Sequence, residues 1–519
     1  MSEGSDGTRE FELKFNVTPE QLSRLRNKAI LKSLSIAEPA NSELRSVYFD
    51  TQNRDLKARG MSLRVRRIDD RWVQTLKTGR GIVAGLSNPI EIEHRVAGAA
   101  PEFDRVRKSD IPADFKDLLC DAVLEPVFET IISRTTNQIR ARDGSHIEVA
   151  FDKGSVSAGT SRREIHEVEI ELKSGDPAFL FDFARKLSTG ETLKFSSMTK
   201  AEHGYNVVDG VTEGQPVAER YNRPMLAEHC QLDDAYQILL RACAAQISHN
   251  WRVVLDSRDV DGPHQMRVGL RRLRSTLRAF RGVVRGRELS RLEIEARDIA
   301  AVVGALRDID VLATQIVPAV AAALPHEACL VDLQSELDRL RENTWHNVAA
   351  NIAGDRTMIF LLRLGRFIEA PQWSKRHKFS KDAPAVTLAS RSLDDSWQRV
   401  EVWGRRIDTL SIAERHSMRK ALKRLRYQTE AFASFYPSSK TGPFIKEMKN
   451  IQNVFGYLND VAMAEKLHEL ALVDGDRSTQ IDRAIGIVLA WQTAHYDREW
   501  REAQRAWKSL NRTEKFWRT

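Results

Sequence analysis

The sequence predicts an α+β domain built on a many-stranded antiparallel sheet, followed by an all-helical region made of two copies of one unit. Three observations predict this. Short runs of alternating apolar and polar residues dominate the first 205 or so positions. Beyond a Gly- and Pro-containing linker the pattern changes to long helical periods that continue to the C-terminus. Within that helical half, two sequence motifs recur at one fixed offset. Alternation at period 2 marks half-buried strands, period 3.6 marks amphipathic helices, and a fixed-offset recurrence marks a duplicated unit.

The strand runs, in order, are Glu10–Phe15, Arg45–Asp50, Ser62–Arg67, Trp72–Lys77, Ile90–Val96, His146–Phe151 and Glu164–Leu172. Gly, Asp-Asp and Ser/Gly clusters of the kind found in turns separate them. Two helices interrupt the strands: Pro19–Leu34, which Thr18 would cap, and one around Phe179–Leu187. The sheet is expected to be closed or nearly closed. The domains are expected at 1–210 and 225–519, joined by a linker at 211–224.

In the helical half, His264-Gln-Met-Arg267-Val-Gly-Leu-Arg271-Arg-Leu-Arg274 is echoed by His416-Ser-Met-Arg419-Lys-Ala-Leu-Lys423-Arg-Leu-Arg426. Gly304-Ala-Leu-Arg-Asp308-Ile is echoed by Gly456-Tyr-Leu-Asn-Asp460-Val461. Both echoes lie 152 residues on, since 416 − 264 and 456 − 304 agree. The expected repeats are about 225–375 and 376–519.

Charge is divided unevenly. Residues 1–210 hold 32 Lys+Arg against 33 Asp+Glu, whereas residues 211–519 hold 48 against 39, so the whole excess of +8 comes from the helical half. A polyanionic partner is expected there. Cys120, Cys230, Cys243 and Cys329 show neither metal-ligand spacing nor a disulfide framework, which suits a reducing cytoplasm. The start of the chain is polar, without the apolar core of a secretory signal. The apolar stretch Ala313–Pro325 is too short to span a bilayer and contains Pro318, so no membrane association is expected.

Glu10-Phe-Glu12-Leu-Lys14-Phe places its charged residues on one strand face and its apolar residues on the other. The same arrangement recurs with Arg64 and Arg66, Thr75 and Lys77, Glu91 and Glu93, and Glu167, Glu169 and Glu171. Like charges about 7 Å apart along a strand repel, so a merely solvated sheet would mix signs. Acidic rows beside basic rows suit a ligand that combines a hard divalent metal with a phosphate anion.

These residues resemble the CYTH family, the triphosphate tunnel metalloenzymes. Glu10-x-Glu12-x-Lys14, Tyr48-Phe-Asp50-Thr51, Leu63-Arg64-Val-Arg66 and Thr75-Leu-Lys77 occur in family order. Phe128-x-Thr130 leading to Arg134, Phe151-Asp152-Lys-Gly154, Glu167-x-Glu169-x-Glu171, Ser197-x-x-Lys200 and Gly204-Tyr205 complete the set over residues 8–206. The resemblance implies an eight-stranded tunnel that cleaves linear triphosphates with Mg²⁺ or Mn²⁺. It implies phosphate contacts from Lys14, Arg64, Arg66, Lys77, Arg134 and Lys200, and metal ligation by Glu10, Glu12, Glu169 and Glu171. Glu10 and Glu12 would serve catalysis through the metal. Lys14, desolvated among other cations, would help to polarise the attacking water from a lowered pKa. Asp152 is a wall residue of open role. One position departs: Asn88-Pro89-Ile90 stands where relatives often carry an Arg before the Glu91–Glu93 pair. Inorganic triphosphate is the expected substrate because no aromatic pocket for a nucleobase or thiamine is visible. Thiamine and nucleoside triphosphates are the alternatives.

In the helical half, His264, Arg267, Arg271, Arg274, Arg278, Arg281 and Arg285 fall at spacings of three and four, on one helix stripe. The segment 264–287 holds eight arginines and no acid, so no i,i+4 carboxylate relieves the repulsion. The second copy repeats the stripe as His416, Arg419, Lys423 and Arg426, and Arg297 and Lys449 occupy equivalent positions nearby. An anion-binding surface is expected, in which protonated histidines would strengthen phosphate contacts. Asp308 and Asp460 would orient neighbouring cations. These motifs resemble the CHAD family over about residues 225–510. That resemblance implies two four-helix bundles that bind inorganic polyphosphate, and with it a possible placement at cytoplasmic polyphosphate granules. A nucleic-acid-binding protein is the rival, but no aromatics interleave with the stripe to stack bases. A catalytically weak scaffold that localises to polyphosphate is the other. The oligomeric state is left open.

Overall fold

The computed structural model describes residues 8–79, 82–102, 123–211, 214–371, 384–467 and 479–518, and divides into two compact units. The first comprises residues 1–216 with 354–370, and the second 217–353 with 371–519.

The first unit is an eleven-stranded antiparallel sheet. Eight strands have five residues or more: β2 (Glu12–Asn16), β3 (Ala40–Asp50), β4 (Met61–Ile68), β5 (Arg71–Thr78), β7 (Ile90–Val96), β8 (Glu125–Arg140), β9 (His146–Ala158) and β10 (Ser161–Ser174). The other three are two-residue pieces: β1 (Thr8–Arg9), β6 (Leu86–Ser87) and β11 (Lys194–Phe195). The order is β1-β7-β5-β4-β3-β8-β9-β10-β2-β11, with β6 on β2. β1 pairs with β7 while β2, two residues further on, pairs with β10. The N-terminal run therefore spans both edges, and the Glu10 N–H donates to the Pro89 carbonyl between them. The eight strands expected from the family account for the body of the sheet.

Helices α1 (Pro19–Arg26), α2 (Ala29–Leu34), α3 (Asp55–Ala58), α4 (Pro177–Leu187) and α5 (Lys200–Val208) complete this part. Thr18 caps α1 through a capping box with Gln21. The single helix expected over Pro19–Leu34 is two, because the chain turns at Asn27–Lys28. Neither β8 nor α5 was anticipated as an element. The outward face of β4, β5 and β7 packs Leu63, Val65, Leu76 and Ile92 with Phe49 and Leu56. On the inner face Tyr48 stacks on Phe128 at 4.5 Å, and Tyr205 of α5 meets Phe128 edge-on at 5.2 Å. Gly204 is required there, since a Cβ would stand 2.0 Å from the Phe128 ring.

The second unit repeats four helices. α6 (Leu232–Asp256), α7 (Asp261–Ala279), α8 (Arg287–Val311) and α9 (Cys329–Ala353) are followed by α10 (Ala385–Gly404), α11 (Ile412–Phe432), α12 (Ser438–Glu465) and α13 (Thr479–Arg512). Their first residues, 232/385, 261/412 and 287/438, recur after 151 to 153 positions, and the described part of α13 follows in the place of α9. The duplication thus extends to the four long helices of each half, well beyond the two motifs that disclosed it. The helix Asp355–Glu369 has no counterpart. It lies in the first unit, where it packs on α4 with Phe181 against Gly365 and Arg366 3.1 Å from Asp182. Residues 312–323, from the apolar stretch, form a π-helical turn and a short helix in the core of the second unit. Among the described residues no helix is long and apolar enough to cross a membrane.

Candidate active site and anion surface

Strand register sets the inner face of the first unit. Residues paired across an antiparallel ladder share a face, and the pairs Ser46↔Arg66, Arg64↔Thr75, Lys77↔Glu91, Arg134↔Asp152, Asp152↔Glu167, Glu169↔Lys14 and Glu171↔Glu12 trace it around the sheet. All the predicted tunnel residues on strands fall on this face, and Glu10 and Lys200 reach it from beside them.

The charges form two connected groups. Lys200 at the start of α5 lies 2.8 Å from Asp152, 2.6 Å from Glu167 and 2.8 Å from Glu169. Arg134 bridges Asp152 at 2.6 Å and Glu169 at 2.5 Å, and Lys14 reaches Glu169 at 2.5 Å and Glu12 at 3.0 Å. In the second group, Lys77 pairs with Glu10 and lies 3.4 Å from Glu91, which also approaches Arg64 at 3.6 Å. Glu171 is held by Lys173 at 2.6 Å.

Burial by itself would lower Lys14, but Glu12 and Glu169 hold its ammonium well above the ordinary lysine value. The expectation of a Lys14 with a lowered pKa is therefore overturned: its neighbours are carboxylates, not cations. Burial would raise Glu169, yet Lys14, Lys200 and Arg134 hold it well below the carboxylate range. Burial pushes Glu171 up to about 7 despite Lys173.

Arg66 differs from every other cation in the site. Its guanidinium donates to the Ser46 hydroxyl at 2.8 Å, and no carboxylate of the described residues pairs with it. Burial, then repulsion from Arg64 and Arg134, pushes it down to about 9. The Nε of Arg64 is also buried and without a partner. Arg64 is partly compensated by Glu91, whereas Arg66 has no carboxylate partner among the described residues, and an uncompensated guanidinium in such a site is costly.

The carboxylates can hold a hard cation. Ligand oxygens of Asp152, Glu167 and Glu169 all lie within 4.8 Å of one another, and the donors are oxygens only, as Mg²⁺ or Mn²⁺ prefers. Asp152 and Glu167 were not among the predicted ligands. The β9–β10 register sets Asp152 beside Glu167, and only the glutamate row on β10 was visible beforehand.

In the second unit the basic stripe divides. Arg267 donates to Asp308 at 2.9 Å, and Asp308 also takes Lys466 of the other repeat at 2.8 Å. Lys423 faces Arg419, Arg271, Arg267 and Arg426, so cations from both repeats converge on it; burial, then these charges, pushes it down to about 6. Arg426 is partly compensated by Glu430 at 2.6 Å. Arg278 and Arg281 both pair with Glu293 of α8, a long-range relief that helical spacing could not disclose. Arg297 lies 3.0 Å from Asp298, and Lys449 is exposed on α12. Burial, then Arg307, pushes His264 down to about 4, and burial, then Lys420, lowers His416. Both shifts favour the uncharged imidazole, so at neutral pH His264 is a neutral donor or acceptor. The Asp460 side chain lies outside the described residues.

The family model described as the CYTH domain matches residues 8–205, and that described as the CHAD domain matches residues 238–469. The chain is similar to the inorganic triphosphatase of Haemophilus influenzae, with 33% identity over 196 residues, 38% of this chain and 54% of that protein. It therefore spans about half the length of this curated relative. Among solved structures it is similar to the CHAD domain of Ricinus communis (24% identity, TM-score 0.49, 56% of this chain and 96% of that one). It is also similar to a Hippeastrum protein described as an adenylyl cyclase with a dominant triphosphatase activity (18% identity, TM-score 0.29, 38% of this chain and 95% of that one).

Proposed function

With residues 8–205 belonging to the CYTH family and residues 238–469 to the CHAD family, we propose that the chain hydrolyses inorganic triphosphate in its sheet unit and binds inorganic polyphosphate on its helical unit. The observation that carries the first part is Arg66: half-buried on the inner face, unpaired by any described carboxylate, and crowded by Arg64 and Arg134. A phosphate chain relieves that repulsion, because its oxygens accept from several guanidinium groups at once. The H. influenzae relative, named an inorganic triphosphatase, supports the substrate class.

Arg66 and Arg64 bind the phosphates and neutralise charge that builds on the transferring phosphoryl group. Lys77 and Lys14, fixed by Glu10 and Glu12, hold the chain as point charges. Asp152, Glu167 and Glu169, together with the predicted ligands Glu10, Glu12 and Glu171, are the residues that would hold a divalent metal, Mg²⁺ or Mn²⁺. Once bound, such a metal supplies Lewis-acid polarisation and a water of lowered pKa. Tyr48 and Phe128 are buried against each other and Tyr205, so this pair offers no surface for a nucleobase and favours the bare triphosphate.

For the helical unit, the cations around Lys423 support polyphosphate binding through His264, Arg267, Arg271, Arg274, Arg297, His416, Arg419, Lys423, Arg426 and Lys449. A cytoplasmic protein able to associate with polyphosphate granules follows from that reading.

The test is phosphate release from inorganic triphosphate with Mg²⁺ or Mn²⁺, comparing the intact chain with a Glu10→Gln, Glu12→Gln double variant. Metal-dependent release that the variant loses is expected. If the intact chain releases no phosphate from inorganic, thiamine or nucleoside triphosphates, the hydrolase reading is wrong and the polyphosphate scaffold replaces it.

A further inference from the structure

The two repeats are not equivalent at one internal position. In α7, Arg272 is buried and lies 2.8 Å from Glu430 of α11, an ion pair rather than an aligned hydrogen bond. Its guanidinium stacks at 3.7 Å on Tyr221 and at 5.0 Å on Tyr427, and Arg426 also pairs with Glu430. Two arginines thus share one carboxylate beneath aromatic cover.

The 152-residue offset gives the matching position in the other half. Arg424 stands for Arg272, Arg274 for Arg426, Ser275 for Tyr427, and Arg278 for Glu430. The match for Tyr221 is position 373, outside the described residues. Where one half has two arginines around a glutamate, the other has three arginines and a hydroxyl. Helices α7 and α11 pack on each other, and Arg278 lies close enough to Arg274 and Arg424 to repel both. Burial, then Arg399 and Arg278, pushes Arg424 down to about 10, and burial, then Arg278, lowers Arg274. Among the described residues the Nε atoms of Arg274 and Arg424 are buried without a hydrogen-bond partner.

The carboxylates nearby do not balance these cations. Glu293 takes both Arg278 and Arg281, Asp395 is exposed on α10, and Asp298 is engaged by Arg297. Exchanging Glu for Arg changes the local charge by two units, which is the charge a phosphate dianion carries near neutral pH. Exchanging Tyr for Ser removes a ring and adds a donor. We propose that Arg274, Arg278 and Arg424, with Ser275, bind a phosphate-class anion where the opposite half of the duplication holds Glu430. The anion is either free orthophosphate or one phosphoryl group of a polyphosphate chain. Only the chain-bound form rests on the polyphosphate reading.

The test uses the full chain and two variants, Arg424→Gln and Arg278→Glu, with long-chain polyphosphate and orthophosphate as separate probes at constant ionic strength. Each variant is expected to weaken polyphosphate about tenfold, the loss of one charge-assisted contact. Arg278→Glu replaces a binding cation with a carboxylate and breaks the pair with Glu293, so it is also expected to abolish stabilisation by orthophosphate at this site. If the intact chain ignores polyphosphate but orthophosphate stabilises it and not Arg424→Gln, the polyphosphate reading fails and this site stands for free phosphate. If Arg267→Gln weakens polyphosphate while Arg424→Gln and Arg278→Glu bind both probes as the intact chain does, the site is refuted and the polyphosphate reading survives. Thermal midpoints of both variants check that they fold.

Discussion

Arg66 and Arg134 occupy the same charged face, yet their removal should have different consequences. Arg134 is paired with two buried carboxylates, Asp152 and Glu169. Arg134→Gln leaves those carboxylates to Lys200 and Lys14, and breaking such a buried network costs about 3 kcal/mol at the low end of measured cases. At 2–4 °C per kcal/mol for a unit of this size, the midpoint should fall by about 6–12 °C. Arg66 donates only to Ser46 among the described residues and is repelled by Arg64 and Arg134. Arg66→Gln removes an uncompensated charge, so the midpoint should hold or rise. In activity the order changes. A guanidinium fork on a phosphate supplies charge-assisted bonds of about 1.5–3 kcal/mol each. The loss of two such bonds, about 3–6 kcal/mol together, should lower kcat/KM on triphosphate by about 10²–10⁴-fold. Phosphate-release kinetics and thermal unfolding on the same preparations give both numbers. An Arg66→Gln protein that unfolds as early as Arg134→Gln, or that keeps kcat/KM within threefold, would refute the assignment of Arg66 to substrate.

Lys423, pushed down to about 6 among Arg267, Arg271, Arg419 and Arg426, with Asp308 bonded to Arg267, is mostly neutral at pH 7 in the unliganded chain. A bound polyanion draws the proton back, so polyphosphate affinity should fall as pH rises from about 6.5 to 8.5, by up to tenfold per unit for one proton. Titrations across that range should show the slope in the intact chain and lose it in Lys423→Met. Gly204→Ala places a methyl 2.0 Å from the buried Phe128 ring, and overpacking of this kind costs about 1–3 kcal/mol. Thermal unfolding should show a lower midpoint, and an unchanged one would mean that α5 shifts freely.

Much of the site was legible because strand alternation is local. Glu10-x-Glu12-x-Lys14 and Arg64-x-Arg66 alternate cleanly, and the structure sets all five charges on the inner face. β8 escaped for the complementary reason. Its buried side changes along the strand, from Phe128, Thr130 and Ile132 to Thr135, Asn137 and Ile139, and Ile131 is 51% exposed, so no single alternating apolar run marks it. The helical duplication was legible through two motifs, and the same offset reproduces all four helices. Which cations have partners was not legible. Arg66 and Arg134 look alike in the chain, and Glu293 relieves Arg278 and Arg281 from another helix.

By itself the sequence determined the two classes of architecture, the duplication and the set of charged side chains, because periodicity and spacing are properties of neighbours along the chain. The tertiary structure alone decided the charge state of Lys14, the neutrality of His264, the Asp152–Glu167–Glu169 cluster and the contrast between Arg272 and Arg424. Those depend on which opposite or like charge lies within a few ångströms through a low-dielectric interior, and strand register and helix packing set that distance between residues far apart in the chain.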